Sequence, residues 1–274
     1  MKELNVEEMK KIELSILSEI DDICKKQNIN YSIAYGTLLG AIRHGGFIPW
    51  DDDIDIIMPR KDYENFVKYC MENTTPFMLL CNRTNEKYSY LFAKACDRTT
   101  KILEDVSNPY NIEYGICVDI FPVDGLGNTK EEAMKNFQKS SFYRELIVAA
   151  NWKKFFRSKG RKWYIEPIRF AFFVLSRFVN ANKLSCAVEK RISKIDFESV
   201  SFSASICGAY RKREIINTEI YSQFTDIAFE NLNVCGLKLY DEYLSEIYGD
   251  YMKLPPEEKR VTHHMFKVYA KEKV

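Results

Sequence analysis

Hydrophobic side chains in residues 6–26 recur every three or four positions, at Met9, Ile12, Ile16, Ile20 and Ile23, and this spacing predicts an amphipathic helix. The period then changes. Residues 31–35 read as a short strand, 38–43 as a short helix ended by Gly45-Gly46, and 53–58 as a strand of alternating Asp and Ile closed by Pro59. A further helix is expected over 61–71, where Tyr63, Phe66, Val67 and Cys70 share one face. Strands are expected at 76–81, 88–95 and 115–121, with a shorter one at 101–103, before a turn at Pro122-Val-Asp-Gly125. Residues 130–191 read as helical, punctuated by Gly160 and Pro167. After them come a strand-like patch at 203–210, a helix at 240–247 and a Pro255-Pro256 turn that opens a last helical segment.

These patterns predict an α+β fold, a mixed sheet flanked by helices with a helical appendage. The expected division is a core in 1–128, the appendage in 129–200 and a C-terminal part, 201–274, that completes the core. A chain of 274 residues is long enough to bury a substantial core. Its net charge of +1 carries no electrostatic footprint for a nucleic-acid partner. The eight cysteines include no Cys-x-x-Cys pair and several sit in apolar runs, so they read as reduced, packed thiols. With a charged, helix-like beginning that lacks the look of a signal peptide, they predict a cytoplasmic protein. No apolar run approaches the roughly 18 residues of a spanning helix. Residues 165–179 come nearest, and they contain Glu166, Arg169 and Arg177.

The chemistry concentrates in residues 48–58, Ile-Pro-Trp-Asp-Asp-Asp-Ile-Asp-Ile-Ile-Met. Side chains two apart in a strand leave the same face roughly 6.5 Å apart, so Asp53 and Asp55 can converge on one cation while Ile54 and Ile56 enter a core. A hard, oxygen-seeking ion such as Mg²⁺, or Mn²⁺ in its place, makes such crowding tolerable. Asp52 alone is as well explained by a solvated acidic turn. A calcium loop begun at Asp51 fails, because Ile56 stands where Gly is required and Asp62 where a bidentate Glu belongs.

Other residues add to this centre. Gly36-Thr37 lies between a strand and a helix, where its amides and the Thr37 hydroxyl would hold a phosphate, or where it is simply a turn. Asp119, isolated in Gly-Ile-Cys-Val-Asp-Ile-Phe-Pro, is either a third carboxylate beside Asp53 and Asp55 or a salt-bridged acid. Lys94, also inside an apolar run, either binds phosphate or snorkels. Arg43 and His44 precede the Gly-Gly loop; the arginine suits phosphate, and His44 suits a hydrogen-bonding role better than a metal-ligating one.

The run Tyr35-Gly-Thr-Leu-Leu-Gly-Ala-Ile-Arg-His-Gly-Gly-Phe-Ile-Pro-Trp-Asp-Asp-Asp-Ile-Asp-Ile, with Val118-Asp-Ile-Phe-Pro and Tyr248-Gly-Asp-Tyr-Met-Lys-Leu-Pro-Pro, resembles the LicD family, which includes the fukutin-related proteins. The resemblance spans about residues 20–265 and is weakest in the helical middle. It implies a nucleotidyltransferase-like fold and Mg²⁺-dependent transfer of phosphocholine, or a related alcohol or sugar phosphate, from a nucleotide diphosphate donor to a surface glycan such as teichoic acid or lipopolysaccharide. Carried over position by position, it makes Asp53, Asp55 and Asp119 the metal and catalytic acids and places Gly36-Thr37 over the phosphates. The gap from Thr37 to Asp53 is longer than in nucleotidyltransferases generally. No cysteine cluster matches the zinc site of the mammalian relatives, and His263-His264 resemble the family's end motif without an assigned role.

The leading expectation is therefore an enzyme that uses CDP-choline, with Asp119 or Asp53 accepting the proton of the attacking hydroxyl. A nucleotidyltransferase releasing pyrophosphate is the alternative. A catalytically silent glycan-binding relative fits less well, given the intact acids. A choline head group cannot donate hydrogen bonds and calls for aromatic faces, with Trp50, Tyr35 and Tyr90 as candidates. Residues 151–182 combine aromatics with Lys and Arg. They read either as a stretch lying on an anionic membrane, where a lipid-linked acceptor would be met, or as aromatics packed on the core under a solvated basic face.

Overall fold

A computed structural model describes residues 2–104, 106–157, 162–260 and 266–271. In chain order the elements of the first half are β1 (Lys2–Glu3), α1 (Val6–Gln27), β2 (Ser32–Ile33), α2 (Tyr35–His44), β3 (Ile54–Pro59), α3 (Arg60–Glu72), β4 (Met78–Leu80), β5 (Ala93–Cys96), β6 (Thr100–Glu104) and β7 (Cys117–Gly127). The second half carries α4 (Lys130–Ala150), α5 (Glu166–Ser176), α6 (Ala181–Ile192), β8 (Phe202–Ala204), β9 (Ile216–Asn217), α7 (Thr218–Ser222), β10 (Phe224–Phe229), β11 (Leu232–Leu237), α8 (Tyr240–Tyr248) and β12 (Phe266–Ala270). This is the mixed α+β architecture expected.

Local signals set the first helix. The Asn5 side chain accepts from the Glu8 amide while Glu8 reaches back to the Asn5 amide, and Asn28 ends the helix in the left-handed conformation. Its apolar stripe, including Ile16, Leu17 and Ile20, is buried in the main core with Ile33, Ile54, Ile56 and Val118.

The main sheet has the order β2-β3-β7-β5-β4, with β8 added to β7 and β9 to β8. Only β3 and β7 run parallel among these pairings. β7 is the spine. Its first residues pair with β3 and β5, whereas Asp124 to Gly127 pair with β8. That far end serves a second core, where Leu126 meets Phe137 of α4 and Val188 and Ile192 of α6. Arg60, at the start of α3, holds Asp124 through two bonds of 2.7 and 2.9 Å with both side chains buried, which pins α3 to β7.

Several expectations are corrected. Pro122 to Gly125 is not a turn but the middle of β7; Gly125 is needed for close packing, since a Cβ there would come within 2.8 Å of the Val200 side chain. Residues 88–92 are not strand, and only Ala93–Cys96 pairs. The final segment is a short 3₁₀ turn followed by the strand β12, not a helix; β12 joins β1 and β6 in a separate three-stranded sheet. The β10–β11 hairpin, turned at Glu230 with φ +53°, was not anticipated.

Candidate active site

Parallel pairing of β3 with β7 sets Asp55 directly beside Asp119, and antiparallel pairing of β5 sets Lys94 on the other side of Asp119. Three charged side chains thus stand in one row across three strands. Lys94 Nζ lies 2.6 and 2.8 Å from the two Asp119 oxygens. Loss of water pulls the Lys94 amine down, but the Asp119 carboxylate outweighs it and holds the amine well above its usual range, so the pair is ionic. Asp55 has no such partner of its own in the row. Burial, then the charges of Asp53 and Asp119, push its carboxyl well above the ordinary value.

The acidic loop reaches this row by folding back on the start of α2. Thr37 is buried, and its hydroxyl oxygen accepts from the Asp55 amide at 2.9 Å. Gly36 gives the loop room: a Cβ there would lie 2.5 Å from an Asp51 oxygen. Thr37 therefore ties down the strand that carries Asp55, and the Asp51 carboxylate occupies the space beside Gly36. The preceding residue, Tyr35, adopts a positive φ of 47°, unusual for a bulky side chain. Its hydroxyl donates to Glu214 at 2.6 Å, and its ring stacks on Tyr210 and meets the edge of Phe121. At the other end of α2 the hairpin turn supports the loop, with Glu230 accepting from the Phe47 amide at 2.9 Å.

Asp51, Asp53 and Asp55 open into a cleft of about 590 Å³. Its aromatic wall is Tyr35, Trp50, Phe121, Tyr210 and Tyr248, and Arg43 and Lys253 are the cations on its lining. A larger cleft of about 840 Å³ lies between α3 and α6, but it contains none of the acids Asp53, Asp55 or Asp119. The smaller cleft is the candidate because it joins carboxylates, cations and aromatic faces.

Of the residues expected from sequence, the cleft collects Asp53, Asp55, Gly36, Tyr35, Arg43 and Trp50. Arg43 also donates to the Tyr251 carbonyl at 2.7 Å, and the Arg260 guanidinium lies 5.6 Å from the Trp50 ring centre. Thr37, His44 and Asp119 are not on its lining; His44 accepts from Arg43 Nε at 3.0 Å, and Asp119 faces Lys94. Lys94 and Tyr90 border a separate small void with Tyr88 and Tyr114. His263 and His264 lie outside the described residues.

Four residues escaped sequence reasoning. Tyr210 and Tyr248 meet edge to face in the cleft wall, with ring centres 5.0 Å apart, brought there by elements far along the chain. Glu214 is fully buried, accepts from Tyr35 and from the Tyr210 amide, and is pushed up to about 7 by burial. Glu13 of α1 is buried, with one carboxylate oxygen lacking a hydrogen-bond partner among the described residues; burial, then the nearby Asp53 charge, push it well above normal. Its place on the buried stripe of α1 was the available signal, since an acid at such a position is rare.

Crowded hard oxygen donors suit Mg²⁺ or Mn²⁺; burial is the main reason the Asp55 carboxyl is raised, and repulsion from Asp53 and Asp119, which a cation would relieve, adds to it. Asp53 and Asp55, with Asp51 beside them, fit such an ion on these grounds. Asp119 fits less directly, because both of its oxygens already accept from Lys94. Among the described residues, no three Asp, Glu, His or Cys side chains close into a ready-made metal cluster.

The profile described as LicD/FKTN/FKRP, nucleotidyltransferase domain, matches residues 28–159. The chain is 31% identical over 276 aligned residues to the lipopolysaccharide cholinephosphotransferase LicD of Haemophilus influenzae, covering 98% of this chain and 99% of that protein. Shorter matches are to uncharacterised proteins of Rickettsia typhi, 40% identical over 24% of this chain and 22% of that protein, and of Rickettsia prowazekii, 47% identical over 17% and 18%. Near-complete alignment with the Haemophilus enzyme, over a site whose strands bring the motif acids together, places this chain in the LicD family of phosphotransferases.

Proposed function

We propose that the protein transfers phosphocholine from CDP-choline to a hydroxyl of a cell-surface glycan, in a nucleotidyltransferase-like site that uses Mg²⁺, with Mn²⁺ as a substitute. The observation that carries this reading is the meeting of Asp51, Asp53 and Asp55 with Trp50, Tyr210 and Tyr248 in one cleft. A diphosphate and a quaternary ammonium need those two surfaces side by side: oxygen-bound cations for the first and aromatic faces for the second. The likeness to the Haemophilus lipopolysaccharide cholinephosphotransferase supports the same donor and acceptor class.

Asp53 and Asp55 would hold the metal, which when bound neutralises charge on the diphosphate. Arg43 and Lys253, the cations on the cleft lining, would be available to the donor phosphates. The acceptor oxygen attacks the phosphorus that bears choline, the bond from that phosphorus to the bridging oxygen breaks, and CMP leaves. The hydroxyl proton passes to a carboxylate of the cluster. Asp53 suits that role better than Asp119, whose oxygens are engaged by Lys94.

No helix among the described residues is long and apolar enough to cross a membrane. All eight cysteines are thiols outside disulfides, which supports a cytoplasmic location. The decisive experiment is product analysis with Mg²⁺ and a glycan acceptor: CMP from CDP-choline supports the proposal. Pyrophosphate from a nucleoside triphosphate, with no CMP from CDP-choline, would replace it with nucleotidyl transfer.

A further inference from the structure

The helix α5 is built inside out. Its buried residues are Arg169 and Ser176, while Ile168, Phe170, Val174 and Leu175 face outwards. Arg169 points into the protein, where its guanidinium donates to Glu166 at 2.7 Å and to the Phe156 carbonyl at 3.1 Å and stacks 4.8 Å from the Trp152 ring. Arg177, just after the helix, donates to the Ala149 and Ala150 carbonyls that end α4. The apolar face does not stop at the helix ends. Trp163, in the turn before α5, is 73% exposed and Phe178, after it, is 84% exposed. Phe142 of α4 continues the surface, half exposed and 5.3 Å from Phe172. An exposed apolar patch of this extent marks an interaction surface.

We infer that this face lies in the interfacial layer of a membrane containing anionic lipid. Lys162, next to Trp163 in the chain, is exposed, as are Lys154 and Arg157 in the segment that precedes it, and Glu166, the acid of this segment, is already paired with Arg169. Cations beside a Trp-bearing apolar face match a negative headgroup layer above acyl chains. The eleven residues of α5 are too few to span a bilayer but enough to lie along its surface. A second copy of the chain is the other occupant, and the test below separates it from a membrane. The inference rests on this face alone and does not depend on which donor the cleft accepts.

The test is cosedimentation of the whole protein with phosphatidylcholine vesicles, with and without phosphatidylglycerol, at low and high salt. Wild type should sediment with the anionic vesicles at low salt and be partly released by salt. The variant Ile168→Ser/Phe170→Ser/Phe178→Ser should bind more than about tenfold more weakly, and each of Lys154→Ala and Lys162→Ala about fivefold more weakly. These side chains are exposed, so an unchanged melting temperature confirms that the variants fold. Fluorescence gives a second readout: the Trp163 share, taken as the difference from Trp163→Phe because Trp50 and Trp152 also emit, should shift to the blue and be quenched by brominated lipid. Wild type that stays in the supernatant at low salt overturns the inference, as does undiminished binding by the apolar variant. A wild-type dimer that the same triple substitution converts to monomer, without vesicle binding, assigns the face to a second copy and overturns it equally.

Discussion

The hydroxyl oxygen of Thr37 accepts the backbone N–H of Asp55, so the first turn of α2 fixes the strand that carries a candidate metal-binding acid. Thr37→Val preserves shape and leaves that amide without its partner. The expected cost is about 1–3 kcal/mol of stability, with transfer reduced more than the melting temperature alone explains. Thr37→Ser should restore both. Thermal melts and initial rates of the two variants check this, and equal rates for Val and Ser would remove the positioning role.

Asp53→Asn and Asp55→Asn should each abolish transfer while leaving the fold intact. Crowding by Asp53 and Asp119 is part of what pushes the Asp55 carboxyl upwards, so deleting a charge relieves repulsion in the metal-free protein. Melting temperature without metal should hold or rise. Glu13→Gln should behave in the same direction for stability, since its buried carboxyl faces the same charges. Near wild-type turnover in either aspartate variant at saturating Mg²⁺ would show that the metal is held elsewhere.

Removing an aromatic face should discriminate between ligands. Trp50→Leu, Tyr210→Leu and Tyr248→Leu should weaken CDP-choline by about fivefold each while leaving CDP nearly unaffected, because only the former carries a quaternary ammonium. Tyr90→Leu serves as the comparison, as Tyr90 borders a different void. Calorimetric titration of both nucleotides gives the ratio; parallel losses for CDP and CDP-choline count against choline as the head group.

Glu214 introduces a pH dependence. Burial raises its carboxyl in the folded protein from 4.5 to about 7, so folding favours the protonated form. Its contribution is fully present below the unfolded value and is lost as pH rises through about 7, an effect of at most roughly 3 kcal/mol. Glu214→Gln mimics the protonated group and should flatten this part of the stability profile, gaining on wild type as pH increases. Melts across the range from about pH 5 to pH 8 test it; identical slopes for both proteins would exclude Glu214 as the titrating group.

Local pattern made much of this molecule readable. The stripe of Ile16 and Ile20 and the alternating Asp53-Ile54-Asp55-Ile56 each encode their element within a few residues. What was obscure depended on distant partners. Tyr88 to Phe92 is rich in strand-forming residues yet pairs with no strand, while Asp226 and the Glu230-Asn231 turn blurred the alternation of β10 and β11. In the cleft, Asp51 beside Gly36 and Tyr210 beside Tyr248 arise from chain reversal and from packing between elements, which no single stretch of sequence displays. The basic residues Lys159 and Arg161, grouped in sequence with Lys153 and Lys154, lie outside the described residues.

Because β7 lends one end to the acid-bearing core and the other to the core of α4 and α6, neither core can open without disturbing the same strand. Amide hydrogens along Cys117–Gly127 should therefore exchange as one cooperative unit, and a fault introduced near Phe137 or Val188 should be felt as faster opening around Asp119. Damage among the helices would thus reach the candidate site through a shared ladder of hydrogen bonds, without any substitution in the cleft itself.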